Sequence, residues 1–284
     1  MLNLIFELVI FMNRKEILDR NNINIVGNGD KTLLLAHGFG CDQNMWKFML
    51  PELKKRFKVI LFDFVGCGSS DPSAFSQTRY SSLQGYVKDM EEILIALDLK
   101  NVSVLAHSVS AMIAGIASTN LNDRISDLTM ICPSPCFMNV HPDYFGGFEK
   151  QDLEELINLM DRNYIGWANY LAPLVMGVGS SSELTTQLLE SFCKTDPVFA
   201  RTFAKATFFS DDRELLKHIQ TPTFILQSSD DSLAPIQVGE YMLDKIPNCE
   251  LSIIEAEGHC LHITRPDVIA PQIIDFINQN LQQV

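Results

Sequence analysis

The stretch VSVLAHSVSAMIAGIAS, residues 102–118, decides how the rest of the chain is read. Its first part, Val102–Ala106, is a short apolar and β-branched run of the kind that forms a buried strand. Its last part is a run of small and apolar residues that reads as a helix packed closely on its neighbours. Ser108 falls between them, so the chain turns sharply there and leaves the hydroxyl standing above the end of the strand. A strand–serine–helix turn needs small residues two positions to either side, because backbone and helix pass close together. Glycine is the usual occupant of both positions, and here they hold Ala106 and Ser110. A serine in this place is also a common helix N-cap, so the turn alone admits two readings.

The order of residues downstream favours the first. The run TFILQ (223–227) leads into SSDDSLAP (228–235), and LSIIEAE (251–257) leads into GHCLH (258–262). An acid after the penultimate strand and a histidine after the last one complete the order serine, acid, histidine. Of the adjacent pair Asp230 and Asp231, Asp231 suits the role, because Asp-x-x-x-Pro (231–235) fits a loop that opens the next helix. Asp230 is left with a turn or with solvent. His259 follows Gly258 directly and is preferred to His262, which reads as structural or as part of a pocket rim. A His-x-x-His metal site lacks carboxylate or cysteine partners at convincing spacing, so neither a metal nor a cofactor is expected.

These residues specify a chemistry. His259 accepts the Ser108 proton as general base, and Asp231 fixes the imidazole tautomer and stabilises the imidazolium. The serine oxygen then attacks an acyl carbon and an acyl-enzyme forms. The tetrahedral oxyanion needs preorganised N–H donors. The backbone of Val109 would supply one, and that of Phe39, in the loop HGFGCD (37–42) after the run Thr32–Ala36, the other. The glycines of that loop let it approach a substrate closely. The glycine-rich DFVGCGSSD (63–71) reads as a structural turn, since no Gly-Lys-Ser/Thr follows to make a phosphate loop. Cys67 within it has no histidine nearby in sequence to activate it.

Further strands are expected at Lys58–Phe62 and Leu128–Cys132, alongside Thr32–Ala36, Val102–Ala106, Thr223–Gln227 and Leu251–Glu255. Amphipathic helices are expected at Leu83–Leu97 and Val268–Leu281. This alternation reads as a mostly parallel α/β sheet with helices on both faces. It fails between Pro133 and about Thr221, where helical stretches dominate. The chain therefore divides into a core of residues 12–132 and 221–284 and a helical cap of residues 133–220. The cap would lie over the sheet edge where open α/β sheets bind ligands. Its many aromatics suit a small apolar ligand.

The bulk properties narrow the partners. A net charge of −13 disfavours nucleic acid and anionic membrane surfaces. Seven cysteines, an odd number without framework spacing, read as free thiols in a reducing, cytoplasmic compartment. Residues 1–11 are apolar but too few to span a bilayer, and no positive charge precedes them. They read as a short extension, or as residues ahead of a true start at Met12.

GFGCDQNMW, VILFDFVGCGSSD, AHSVSAM, PSPCFMN, YFGGF, NYIGWA, FCKTDPVFARTFAKATFFSD, SSDDSLAP and GHCLH together resemble the RsbQ-like α/β hydrolases, which serve bacterial stress signalling. The same segments more loosely resemble the plant karrikin and strigolactone receptors. The resemblance runs from about Met12 to the C-terminus and includes cap segments as well as triad loops. It implies an α/β-hydrolase fold with a four-helix cap over a narrow hydrophobic pocket. It implies Ser108, Asp231 and His259 as the catalytic triad and Phe39 and Val109 as oxyanion donors. It further implies a PAS-domain serine phosphatase as partner in activating a general-stress sigma factor. Ala106 departs from the glycine of that pattern, and its methyl is expected to strain the turn or slow turnover. The resulting reading is a serine hydrolase of a small hydrophobic ester or lactone-like compound that acts in signalling. Its rivals are a metabolic carboxylesterase without a partner and a non-catalytic small-molecule receptor.

Overall fold

In the computed structural model, residues 14–177 and 181–281 are described. The reading of residues 1–11 lies outside that range. Seven strands form one sheet: β1 (Asn24–Val26), β2 (Thr32–Ala36), β3 (Lys58–Leu61), β4 (Val102–His107), β5 (Ile125–Ile131), β6 (Thr223–Asp230) and β7 (Cys249–Glu257). Their spatial order is β1-β3-β2-β4-β5-β6-β7. Only the edge pair β1 and β3 is antiparallel; the other pairings are parallel.

Burial on both faces explains why the central strands are so apolar. In β2, Leu33 and Leu35 join one hydrophobic cluster while Leu34 and Ala36 join the other. One face is covered by helices α1 (Leu83–Ala96), α2 (Val109–Asn120) and α7 (Ile236–Lys245), and the other by the closing helix α8 (Pro266–Leu281). Helix α2 can lie close to the sheet because its buried positions include Ala111, Ala114, Gly115 and Ala117. A methyl at Gly115 would come within 2.8 Å of the Ile219 side chain.

Between β5 and β6 the chain inserts four helices: α3 (Lys150–Arg162), α4 (Tyr164–Met176), α5 (Ser182–Lys194) and α6 (Pro197–Phe208). Residues 133–149, expected to belong to a helical region, are instead irregular and pinned by two isolated bridges, Met138 to Phe148 and Val140 to Tyr144. Strand β5 begins three residues before the expected Leu128. Its Asp127 is fully buried and accepts hydrogen bonds from Ser103 Oγ at 2.7 Å and Ser126 Oγ at 2.6 Å, with Lys31 Nζ 3.6 Å away. Among the described residues, no helix is long and apolar enough to cross a membrane.

Candidate active site

The turn that opened the sequence reading is built as a sharp elbow. Ser108 holds φ 58° and ψ −128°, a conformation that side chains rarely adopt and that marks stored strain. Of the two expected consequences of Ala106, strain and slow turnover, the backbone bears on the first. It sits in β4 in register with Ala36 and Met130, 1% exposed, and the left-handed conformation falls on Ser108, two residues later. The methyl at 106 therefore packs in the core and the strain resides at Ser108 itself. At the other flank, Ser110 donates its hydroxyl to the His37 carbonyl and so ties α2 to the HGFG loop. That loop must lack a side chain at 38, where a Cβ would sit 2.5 Å from His107 Nδ1. It must also lack one at Gly40 (φ 71°), where a Cβ would come within 2.3 Å of the Phe192 ring.

Three strand ends bring the reacting groups together. Ser108 follows β4, Asp231 follows β6 and His259 lies two residues beyond β7. The Ser108 Oγ and His259 Nε2 are 2.8 Å apart, and His259 Nδ1 is 2.7 Å from Asp231 Oδ2. The other Asp231 oxygen accepts the backbone N–H of Leu233 at 2.9 Å and of Ala234 at 3.1 Å. Burial would push this carboxyl up, but the His259 imidazole and those N–H groups outweigh it and hold it below its ordinary value. Asp231 is therefore ionised, so the hydrogen between it and His259 belongs to Nδ1, which leaves Nε2 free to accept from the serine.

Asp230 makes no such contact: its carbonyl accepts the Gly258 N–H at 2.8 Å, and its side chain is exposed. The backbone N–H groups of Phe39 and Val109 have no acceptor among the described residues, Val109 being the first residue of α2, where no intrahelical acceptor exists. Both are thus free to serve an anionic oxygen.

One neighbour of the site, His107, escaped the sequence reading, and His262 takes the structural place read for it. His107 faces the site from below, its Nε2 bonded to the His259 carbonyl at 2.9 Å. Burial first, and His259 next, push the His107 imidazole down to about 3. His262 packs against both His107 and Trp46, with ring centroids 4.4 and 4.9 Å away. Burial holds it well below its ordinary value, so it is a neutral core residue. Contrary to the sequence reading, a cysteine does lie beside it: His107, Cys260 and His262 could each present a ligand atom within 4.8 Å of the others. Structural zinc sites take four donors, and this group offers three. The second such group, Cys132, Asp231 and His259, contains the hydrogen-bonded pair just described. All seven cysteines are free, and burial pushes Cys67 well above its ordinary value, which keeps it an inert thiol.

Above the reacting groups lies a cavity walled mostly by carbon: Phe39, Phe137, Leu171, Val175, Leu188, Phe192, Phe208 and Leu233. Its volume is small, about 20 Å³. The inserted helices are tied down over the loop beneath. Ser191 Oγ donates to the Gly40 carbonyl at 2.9 Å, and Tyr164 Oη donates to the Phe192 carbonyl at 2.7 Å. The Phe39 ring packs edge-on against Trp167, Phe203 and Phe208. Two open clefts on the surface share walls with the cavity. One, between α3, α4 and the loop after β6, shares Leu171 and Leu233; the other, beside α5, shares Cys41 and Leu188. Both are larger than the cavity, but neither contains Ser108 or His259.

Comparison with known proteins agrees with this geometry. The family model for the alpha/beta hydrolase fold matches residues 31–266. A karrikin insensitive 2 receptor from Petunia hybrida is 36% identical over 264 residues, covering 93% of this chain and 97% of the relative. A strigolactone esterase from Arabidopsis thaliana is 34% identical over 260 residues, covering 91% and 97%. Among solved structures, a hydrolase from Oleispira antarctica is 67% identical and superposes with a TM-score of 0.92, over 93% of this chain and 97% of that one. With the fold, the elbow and these relatives in agreement, the chain belongs to the α/β-hydrolase family.

Proposed function

We propose that this protein is a serine hydrolase that cleaves a small, largely apolar ester or lactone. The observation that carries the reading is the hydrogen-bonded line from Ser108 through His259 to Asp231 at the floor of an apolar cavity. Ser108 attacks the acyl carbon while His259 takes its proton, and Asp231 holds the imidazole and stabilises its charge. Phe39 and Val109 receive the oxyanion on their free N–H groups. His259 then returns the proton to the leaving alcohol, and water releases the acyl group by the same steps in reverse. The reading requires no cofactor.

Short-chain p-nitrophenyl esters test it. Wild type should hydrolyse them, and Ser108→Ala should lose about a thousandfold or more in kcat while keeping its thermal midpoint. A folded wild type with no activity on these esters would count against a general esterase.

A regulatory role is a second reading, favoured by the receptors among the relatives and by the match of the cap segments to RsbQ-like hydrolases. In it the protein works in the cytoplasm, and a PAS-domain serine phosphatase reads its ligand state. Co-purification of the two from the native cell checks that partner; a phosphatase that never associates, with or without ligand, removes it. Nothing in the charge pattern invites nucleic acid or membrane.

A further inference from the structure

Thr207 lies on α6, is 1% exposed and lines the cavity that holds Ser108, yet its hydroxyl has no hydrogen-bond partner among the described residues. A helical threonine can place its hydroxyl on a carbonyl one turn back. Thr202 on the same helix does so, to the Val198 carbonyl at 2.9 Å. Thr119 and Thr264 do likewise, to the Ile116 and Cys260 carbonyls at 2.7 and 3.2 Å. A buried polar group left without a partner is costly, so its presence asks for a partner that arrives later. The walls beside it are mostly carbon, the side chains of Ser108, His259 and Asp231 satisfy one another, and the free N–H groups of Phe39 and Val109 are left for the attacked carbonyl. The other unpartnered side-chain atom among the described lining residues, His107 Nδ1, is covered by Gly38, where even a methyl would come within 2.5 Å.

We propose that the Thr207 hydroxyl hydrogen-bonds an oxygen acceptor on the substrate, separate from the carbonyl that Ser108 attacks. The inference rests on the hydrolase reading and narrows it: the preferred ligand is an ester or lactone with a second oxygen, an ether, ring oxygen or carbonyl. Thr207 is thereby a specificity-determining residue supplied by the inserted helices.

The test uses two esters that differ by one atom, p-nitrophenyl 3-methoxypropanoate and p-nitrophenyl pentanoate, in which an ether oxygen replaces a methylene. Wild type should prefer the methoxy ester. Thr207→Val keeps the side-chain shape and should lower kcat/KM for the methoxy ester about tenfold, the worth of one hydrogen bond, mainly through KM. The pentanoate should be nearly unaffected, and Thr207→Ser should restore the preference. Equal changes on both esters, or no change on either, overturn the proposal, the second being the outcome if the hydroxyl merely holds a water.

Binding separates this claim from the chemistry. In Ser108→Ala, the thermal midpoint should rise more with methyl 3-methoxypropanoate than with methyl pentanoate, and Thr207→Val in that background should abolish the difference. Retained Thr207-dependent binding in a protein that cleaves neither ester means that the hydrolase reading fails and the Thr207 assignment stands. Cleavage of both esters with no Thr207-dependent preference means the reverse.

Discussion

At the C-terminal ends of the strands Ser108, His259 and Asp231 are all held by protein partners, whereas the inserted helices meet the same cavity almost wholly with carbon. Asp231 alone accepts from His259, Leu233 and Ala234. The helices bring Leu171, Val175, Leu188, Phe192 and Phe208, and a single unpartnered hydroxyl. The sheet positions its groups through backbone geometry, since each lies just past a strand whose register is fixed by its neighbours. The helices position theirs through side-chain packing, which tolerates substitution more readily. On the proposed reading, chemistry and selectivity sit on different parts of the chain, and each can be perturbed separately.

The largest effect should come from the sheet side. Asp231→Asn preserves shape but favours the wrong imidazole tautomer, and kcat should fall by about ten-thousandfold, as in the serine-protease template. The thermal midpoint should hold to within a few degrees. Residual activity close to wild type would mean that the chemistry is not where the strand ends converge.

A smaller effect is expected from the helices. Phe192→Leu shortens the ring that overhangs Gly40 and should shift selectivity toward longer acyl chains by about tenfold, with acetyl ester turnover little changed. A loss shared equally by all chain lengths would break the division between the two regions.

The smallest effect concerns acid. Burial holds His37, His107 and His262 below their ordinary value, so each is neutral in the fold. In the unfolded chain each takes up a proton near pH 6.5, so the unfolded state binds more protons below that point. Stability is complete above about pH 6.5 and falls below it, by up to about 1.4 kcal/mol per pH unit for each histidine. Residues 150–208 contain no histidine, so this lability belongs to the core. Urea unfolding of His262→Phe between about pH 6.5 and 5 should show a slope shallower by roughly one histidine's share; an unchanged slope would show that His262 is protonated in the fold.

The same contrast explains what could be read before the structure. The central strands were visible because burial on both faces favours apolar runs, as in Leu33–Ala36 of β2. Strand β1 was missed because three residues at an exposed edge, Asn24–Val26, carry little pattern. The start of β5 was hidden by Asp127, whose burial depends on Ser103 and Lys31 from other parts of the chain. The positions of Ser108, Asp231 and His259 were readable because each follows a strand in fixed order. The facing of the cap aromatics was not. Phe137 and Phe208 line the cavity, Phe203 stacks on Tyr86 4.1 Å away, and Tyr170 is exposed. These choices depend on helix rotation and on which neighbour fills each gap, and no local spacing records them. Thr207 was likewise passed over, since only the absence of a partner distinguishes it from Thr202.

The leucines shared between the inner cavity and the outer clefts carry a kinetic meaning. A ligand that passes inward only when Leu171 or Leu188 moves aside can leave only when it moves again. A door of this kind slows arrival and departure by the same factor and leaves the dissociation constant alone. Were those leucines the route in, residence time would become a quantity the protein sets independently of affinity.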